Sequence, residues 1–339
     1  MKTKREIIKM LLDGKQAPYI PWSLKFTVEP TLVLQSYYGT KDIDSAVDNH
    51  ILNIGSDIGF FEDLGNNCHR DVFNVVWDRS VDKDIAIRIE PVLKKTALDE
   101  LIIPDPYDLR FYRDTNDRIN KHPDMFRVFQ IGFSLFERAW ALRGMENLLM
   151  DFLVNPVLVK MLFTKIADYN IAQIKSALEY DIDAAYFGDD WGQQSGLIMG
   201  YDIWKEFIYP QLKRMYAAVK ESGKYIMIHS CGDVDELFDD LIEVGVDCFN
   251  PFQPEVMDVF SLINQYRGKL SFHGGLSMQK TLPFGTPDDV QKETDKLIEA
   301  GMTGGLIFSP AHSVEGDTSL QNILTFIDRK KQPGYLGKI

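Results

Sequence analysis

From residue 125 onward, short runs rich in β-branched and aromatic residues alternate with segments whose apolar positions recur at helical spacing. This is the pattern of a parallel α/β fold. The runs are Phe126–Gly132, Ala184–Asp189, Tyr225–His229, Asp247–Phe252, Leu270–His273 and Gly305–Ser309. Between them, Ile203, Phe207, Leu212, Met215 and Val219 form one helical stripe, with Asp202 as its expected N-cap. Asp233–Val244 and Pro287–Ala300 read as further helices, stopped by Gly245 and Gly301. The first third is less regular. Lys4–Leu12 reads as a short helix, Tyr19–Ser23 and Ile58–Glu62 as strands. Ile85, Ile87 and Ile89 alternate with polar residues, as in a half-exposed strand of a hairpin outside the main sheet.

Eight strand candidates in 339 residues, with no linker, low-complexity stretch or internal repeat, predict one (β/α)₈ TIM barrel with an N-terminal extension, a single domain over residues 1–339. A doubly wound sheet is the structural rival. It is disfavoured because no glycine-rich dinucleotide loop follows the first strand and no GxxxxGK[ST] occurs. An apolar fraction of 45% is that of a packed globule. A net charge of −13 argues against a nucleic-acid partner, which would need a basic face. No apolar run is long enough to cross a bilayer, and the basic start leads into an amphipathic stretch rather than a signal sequence, so a cytoplasmic location is expected. Three cysteines, Cys68, Cys231 and Cys248, cannot build a disulfide framework.

The stretch Ile226-Met227-Ile228-His229-Ser230-Cys231-Gly232 carries the strongest chemical signal. Positions i and i+2 of an extended chain face the same way, so imidazole and thiol project together at the C-terminal end of a strand, where barrel active sites lie. Nitrogen and sulfur converging there make half a zinc site. On its own, a His-x-Cys is more often a buried thiol beside a capped histidine. His312, after the run ending in Ser309, offers a third ligand; otherwise it is a loop histidine bonded to a carboxylate. His273 precedes Gly274-Gly275, a pair that suggests close backbone approach to a ligand. Asp189 and Asp190 end another strand on opposite sides, with Asp189 expected to enter the cavity and Asp190 to cap or orient. Gln253 follows the Asp247–Phe252 run and is placed to touch substrate. Cys248 reads as core, and the Cys68-His69 dipeptide as structural, because adjacent residues chelate one ion poorly. No Gly-x-Ser-x-Gly elbow is present.

Taken together, these segments resemble the uroporphyrinogen decarboxylase superfamily. The resemblance is carried by Gly188-Asp189-Asp190-Trp191-Gly192, His229-Ser230-Cys231-Gly232-Asp233, Asn250-Pro251-Phe252-Gln253-Pro254, His273-Gly274-Gly275-Leu276, Leu282-Pro283-Phe284-Gly285-Thr286-Pro287 and Ser309-Pro310-Ala311-His312. It implies a TIM barrel and one of two chemistries: cofactor-free decarboxylation of uroporphyrinogen, or zinc-dependent methyl transfer to or from a corrinoid (cobalamin) carried by a partner protein. Decarboxylases carry an Arg-Gln-Ala-Gly-Arg segment for their substrate's carboxylates. The corresponding region here, Gly14-Lys15-Gln16-Ala17-Pro18, has no arginine, and one flexible lysine replaces guanidinium forks poorly.

The methyltransferase branch pairs His-x-Cys with a late third ligand, usually cysteine. His229 and Cys231 match the pair, and His312 stands at the late position, where decarboxylases also carry a histidine. The resemblance therefore implies zinc on His229, Cys231 and His312, a methoxylated, methylamine or thiol substrate, and a corrinoid protein as partner. Asp189 would be catalytic, with Asp190, Gln253 and His273 lining the substrate pocket. The alternatives are a metal-free, decarboxylase-like enzyme using Asp189 and His312 as acid and base, and a silent barrel serving as a scaffold subunit.

Overall fold

A computed structural model describes residues 2–81 and 86–329. Seven strands share one sheet in chain order: β1 (Ile51–Ile54), β2 (Phe126–Ile131), β3 (Ala184–Gly188), β4 (Tyr225–His229), β5 (Cys248–Phe252), β6 (Ser271–Leu276) and β7 (Leu306–Pro310). β3 pairs in parallel with β2 and with β4, and β6 with β5 and with β7. Every residue of β2, β3, β5, β6 and β7 is buried, as expected for parallel strands covered on both faces. Each fully buried Val, Leu, Ile or Phe contributes about 1.5–3 kcal/mol by leaving water. The fold is α/β, a TIM barrel. No helix among the described residues is long and apolar enough to cross a membrane.

The chain divides into two compact units. The first takes the described residues of Met1–Leu52, His122–Arg127 and Val246–Ile339. It holds the helix Lys4–Leu12, closed by a capping box between Thr3 and Glu6, and the helix Pro287–Gly301, closed by another between Thr286 and Asp289. That helix ends at Gly301, and the left-handed turn comes after it, at Gly304 and Gly305. Tyr19–Ser23 makes a single parallel bridge, from Trp22 to Phe308 of β7. The Ser23 amide donates to the Phe308 carbonyl, the Phe308 amide to Pro21, and the His50 amide to Trp22. An irregular segment thus occupies the place of an eighth strand, between β7 and the start of β1.

The second unit spans Asn53–Lys121 and Val128–Gly245. Phe60–Gly65, Cys68–Asp71, Val76–Asp78 and Ile87–Arg88 form a separate antiparallel sheet; Ile85 lies outside the described residues. The strand read at Ile58–Glu62 belongs to this sheet. The buried Asp71 carboxylate takes the Arg138 guanidinium and the Trp77 indole N–H, tying the sheet to the helix Phe136–Arg143. The stripe from Ile203 to Val219 begins earlier than Asp202: Gly200 is the cap, Asp202 sits in the first turn, and Trp204–Ile208 forms a π-helical turn.

Candidate metal and substrate site

β4 delivers His229 at its last residue, and the chain stays extended long enough to bring the Cys231 Sγ to 3.4 Å from His229 Nε2. The loop holding them is bonded to the loop after β3. Asp189 N–H donates to the His229 carbonyl, Gly192 N–H to Cys231, and Asp233 N–H to Gln193. Trp191 N–H donates to the buried Ser230 Oγ. Glycine is required at this seam. Gly232 has φ +87°, and a Cβ there would lie 2.3 Å from the Gly192 carbonyl carbon.

The two aspartates part company at the end of β3. Asp189 is 1% exposed, and its carboxylate accepts four hydrogen bonds: the amides of Leu135, Phe136 and Glu137, and the Trp191 indole N–H. It caps the start of the helix Phe136–Arg143, where the helix dipole favours negative charge. Burial pushes its pKa up to about 6, although all four donors pull the other way. Asp190 turns to the opposite side. Its Oδ1 accepts the Cys231 amide at 2.8 Å and stands 3.7 Å from His229 Nε2. The carboxylate that faces the pair is therefore Asp190, and the one expected to enter the cavity, Asp189, is spent on anchoring a helix.

A third acid joins them. Glu137 is buried beside Asp189 and Asp190 and accepts the Asp190 amide; burial first, then the charges of Asp190 and Asp189, hold its pKa well above the ordinary glutamate range. The same surroundings act on Cys231. Desolvation, reinforced by the negative charge of Asp190 and Glu137, pushes the thiol well up, so that without a cation it stays neutral. A group that is costly to ionise alone yet held against an imidazole is suited to a cation, whose charge would reverse the penalty.

His312 follows β7 at a bend and is partly buried. Within the second unit His229 and Cys231 offer an imidazole nitrogen and a thiol sulfur 3.4 Å apart, and His312 of the first unit offers a further imidazole. Thiolate and imidazole are zinc donors, so the set fits that ion.

His273 and Gln253 are buried on β6 and just after β5. His273 Nε2 lies 3.0 Å from the Ser23 carbonyl, which only accepts, so that nitrogen carries the proton. The glycines after His273 permit close approach, but to protein: a Cβ on Gly274 would meet Phe252 N at 2.7 Å, and one on Gly275 the Leu297 side chain at 2.8 Å. Cys248 is fully buried, and Cys68 and His69 sit in the antiparallel sheet.

A family model described as "Uroporphyrinogen decarboxylase (URO-D)" matches residues 80–332. The chain belongs to the uroporphyrinogen decarboxylase family. Within it, a uroporphyrinogen decarboxylase from Anaeromyxobacter dehalogenans is 25% identical over 191 residues, 55% of this chain and 51% of that protein. A methylcobamide:CoM methyltransferase, MtbA, from Methanosarcina mazei is 24% identical over 136 residues, 40% of this chain and 39% of the relative. MtbA of Methanosarcina acetivorans is 22% identical over 169 residues, 50% and 48% of the two chains. The chain thus spans about half or less of the length of these relatives. A solved methyltransferase from Methanosarcina mazei superposes with a TM-score of 0.75 at 13% identity, covering 98% of this chain and 99% of that one, which shows the shared fold.

Proposed function

We propose that this family member is a zinc-dependent methyltransferase, moving a methyl group between a small substrate and a corrinoid carried by a partner protein. The observation that carries the reading is the His229 imidazole and the Cys231 thiol held 3.4 Å apart at the end of a parallel strand. Relatives named as methylcobamide:CoM methyltransferases support the same branch. So does the absence of arginine at Gly14–Pro18, where a decarboxylase would grip a polycarboxylate.

His229, Cys231 and His312 would hold the ion. Bound there, zinc would supply Lewis acidity toward the heteroatom of a thiol, amine or methoxyl substrate. Asp190 would keep the ligand pair in register: it fixes the Cys231 backbone at 2.8 Å and offers a carboxylate to the imidazole face. Glu137, its pKa held above the ordinary glutamate range by burial and by Asp190 and Asp189, would keep the Asp190 amide bonded. Asp189 would act at one remove, by locking the loop that carries Asp190. Gln253 and His273 would form buried walls of the substrate pocket.

The test is metal content of tag-free protein beside Cys231→Ser and His312→Ala. The expected result is about one zinc per chain, lost in Cys231→Ser and weakened in His312→Ala. A native chain that takes up no zinc, even when incubated with it, sinks the reading and leaves a metal-free, decarboxylase-like enzyme in front. Methyl donors and acceptors are then screened against free cobalamin.

A further inference from the structure

β2 is apolar from Val128 to Ile131 except at Gln130, which is 9% exposed. Phe129 stacks on Tyr112 at 5.4 Å, and the Tyr112 hydroxyl donates to the Gln173 carbonyl of the helix Pro156–Ala177. Phe129 thus faces the helices. Successive residues of a strand face opposite ways, so Gln130 points into the barrel. Its Nε2 is shut off from water without an acceptor, and neither end of its side-chain amide hydrogen-bonds to another described residue. An amide can donate twice and accept twice. Unspent in a buried place, that capacity costs the protein stability, and a ligand that uses it recovers the loss.

Register places Gln130 beside the candidate site. It pairs with Tyr186 on β3, and Tyr186 pairs with Met227 on β4. Tyr186 is inward as well, because its neighbour Phe187 packs outward on Tyr216 of the helix Tyr209–Lys220, 4.9 Å away. Two residues further along, about 6.6 Å, Gly188 pairs with His229. Gly188 leaves room over the sheet: the nearest atom that a Cβ there would meet is Gly132 Cα, at 3.6 Å. The Tyr186 ring borders that room, its centroid 6.2 Å from that of the His229 ring.

Charge narrows what fits. Val128–Leu135, Ala184–Gln193 and Tyr225–Asp233 contain no lysine or arginine, whereas Asp190 stands 3.7 Å from His229 Nε2. A carboxylate or sulfonate here would meet that negative charge with no cation on these strands to offset it. A neutral hydroxyl or carbonyl meets no such penalty, and the Gln130 amide can pair with either.

We propose that Gln130 determines substrate specificity, by hydrogen-bonding an uncharged hydroxyl or carbonyl group of a compact substrate. The thiol, amine or methoxyl heteroatom of that substrate lies over Gly188 and faces His229 and Cys231. The assignment rests on the methyltransferase reading of the site and excludes substrates that end in an acid group.

The test is calorimetric titration of zinc-loaded native protein and Gln130→Leu with three thiols of similar size: 2-mercaptoethanol, 1-propanethiol and mercaptoacetate. The native chain is expected to bind 2-mercaptoethanol tightest. Gln130→Leu should prefer 1-propanethiol, so that the ratio of the two Kd values shifts about tenfold. Mercaptoacetate should bind the native chain about tenfold more weakly than the alcohol does. Zinc content should be equal in the two proteins. Gln130→Leu should melt no lower than the native chain, because it removes a buried amide that the protein does not pair. Gly188→Ala, which fills the room over the sheet, should weaken all three thiols. The proposal is overturned by a Kd ratio that Gln130→Leu leaves unchanged, or by a Gln130→Leu melt several degrees lower. Mercaptoacetate binding as tightly as the alcohol, or thiols indifferent to Gly188→Ala, overturns it too. A native chain that takes up no zinc removes the proposed function and this assignment with it; zinc uptake without discrimination among the thiols removes the assignment alone.

Discussion

Burial and neighbouring carboxylates act in one direction on the Cys231 thiol, and after burial the charge of Asp190 weighs most. Asp190→Asn should therefore lower the thiol's pKa. In protein stripped of metal, alkylation of Cys231 by iodoacetamide should speed up at fixed pH, about tenfold for each pKa unit the carboxylate accounts for; an unchanged rate would mean that burial alone controls the thiol. Glu137 makes a separate claim on stability. Its folded pKa is raised, so between the ordinary value of 4.5 and that raised value the folded state binds more proton than the unfolded. Stability from this group is full below 4.5 and is lost as pH rises through the raised value. Asp189 behaves alike, losing its contribution as pH rises through about 6. Glu137→Gln should flatten part of the fall in melting temperature from mildly acid to alkaline pH, while native and variant melt alike near pH 4. At this scale the sequence was half legible. The period of two along a strand brings His229 and Cys231 to one side and sends Asp189 and Asp190 to opposite sides. It does not say which aspartate faces the pair, because that depends on where the helix Phe136–Arg143 offers its free amides. Glu137 gave no signal, since a glutamate in a first helical turn normally points to water.

Elements were read best where burial is greatest. β4 matches its run residue for residue, and β2, β3, β5, β6 and β7 differ from theirs by one to three residues at their ends, since a strand covered on both faces must be continuously apolar. Pattern reading failed where backbone bonding departs from the regular ladder. The π-turn at Trp204–Ile208 leaves the helical stripe intact and so is invisible to it. Gly301, read as the stop, is the last residue of its helix, and the left-handed turn follows at Gly304 and Gly305. The seam between the loops after β3 and β4 is the element on which the candidate site depends most. Gly232→Ala places a side chain at φ +87° and drives its Cβ into Gly192. It should cost about 3 kcal/mol or more in urea unfolding and reduce zinc uptake with it. A variant as stable as the native chain would show that the loops can part without loss.

Across the whole molecule, the irregular seam of the barrel is the one closed by Pro21–Ser23. Trp22 is 5% exposed, and its indole N–H donates to the Val47 carbonyl. Trp22→Ala should therefore cost about 3–5 kcal/mol in equilibrium unfolding, while a cost under about 1 kcal/mol would mean the segment is only laid against the barrel. The same seam has a consequence for synthesis. Its two sides, Trp22 and Phe308, come from opposite ends of the chain. A ribosome adding about 5–20 residues per second makes the first roughly 15–60 s before the second. For that interval Trp22 and the apolar Ile20 and Leu24 beside it lack their β7 partner, although Val47 and His50, which bond Trp22, follow within about 6 s. The N-terminal segment of a nascent chain is thus a natural holding site for chaperones, and translation speed sets how long they must stay.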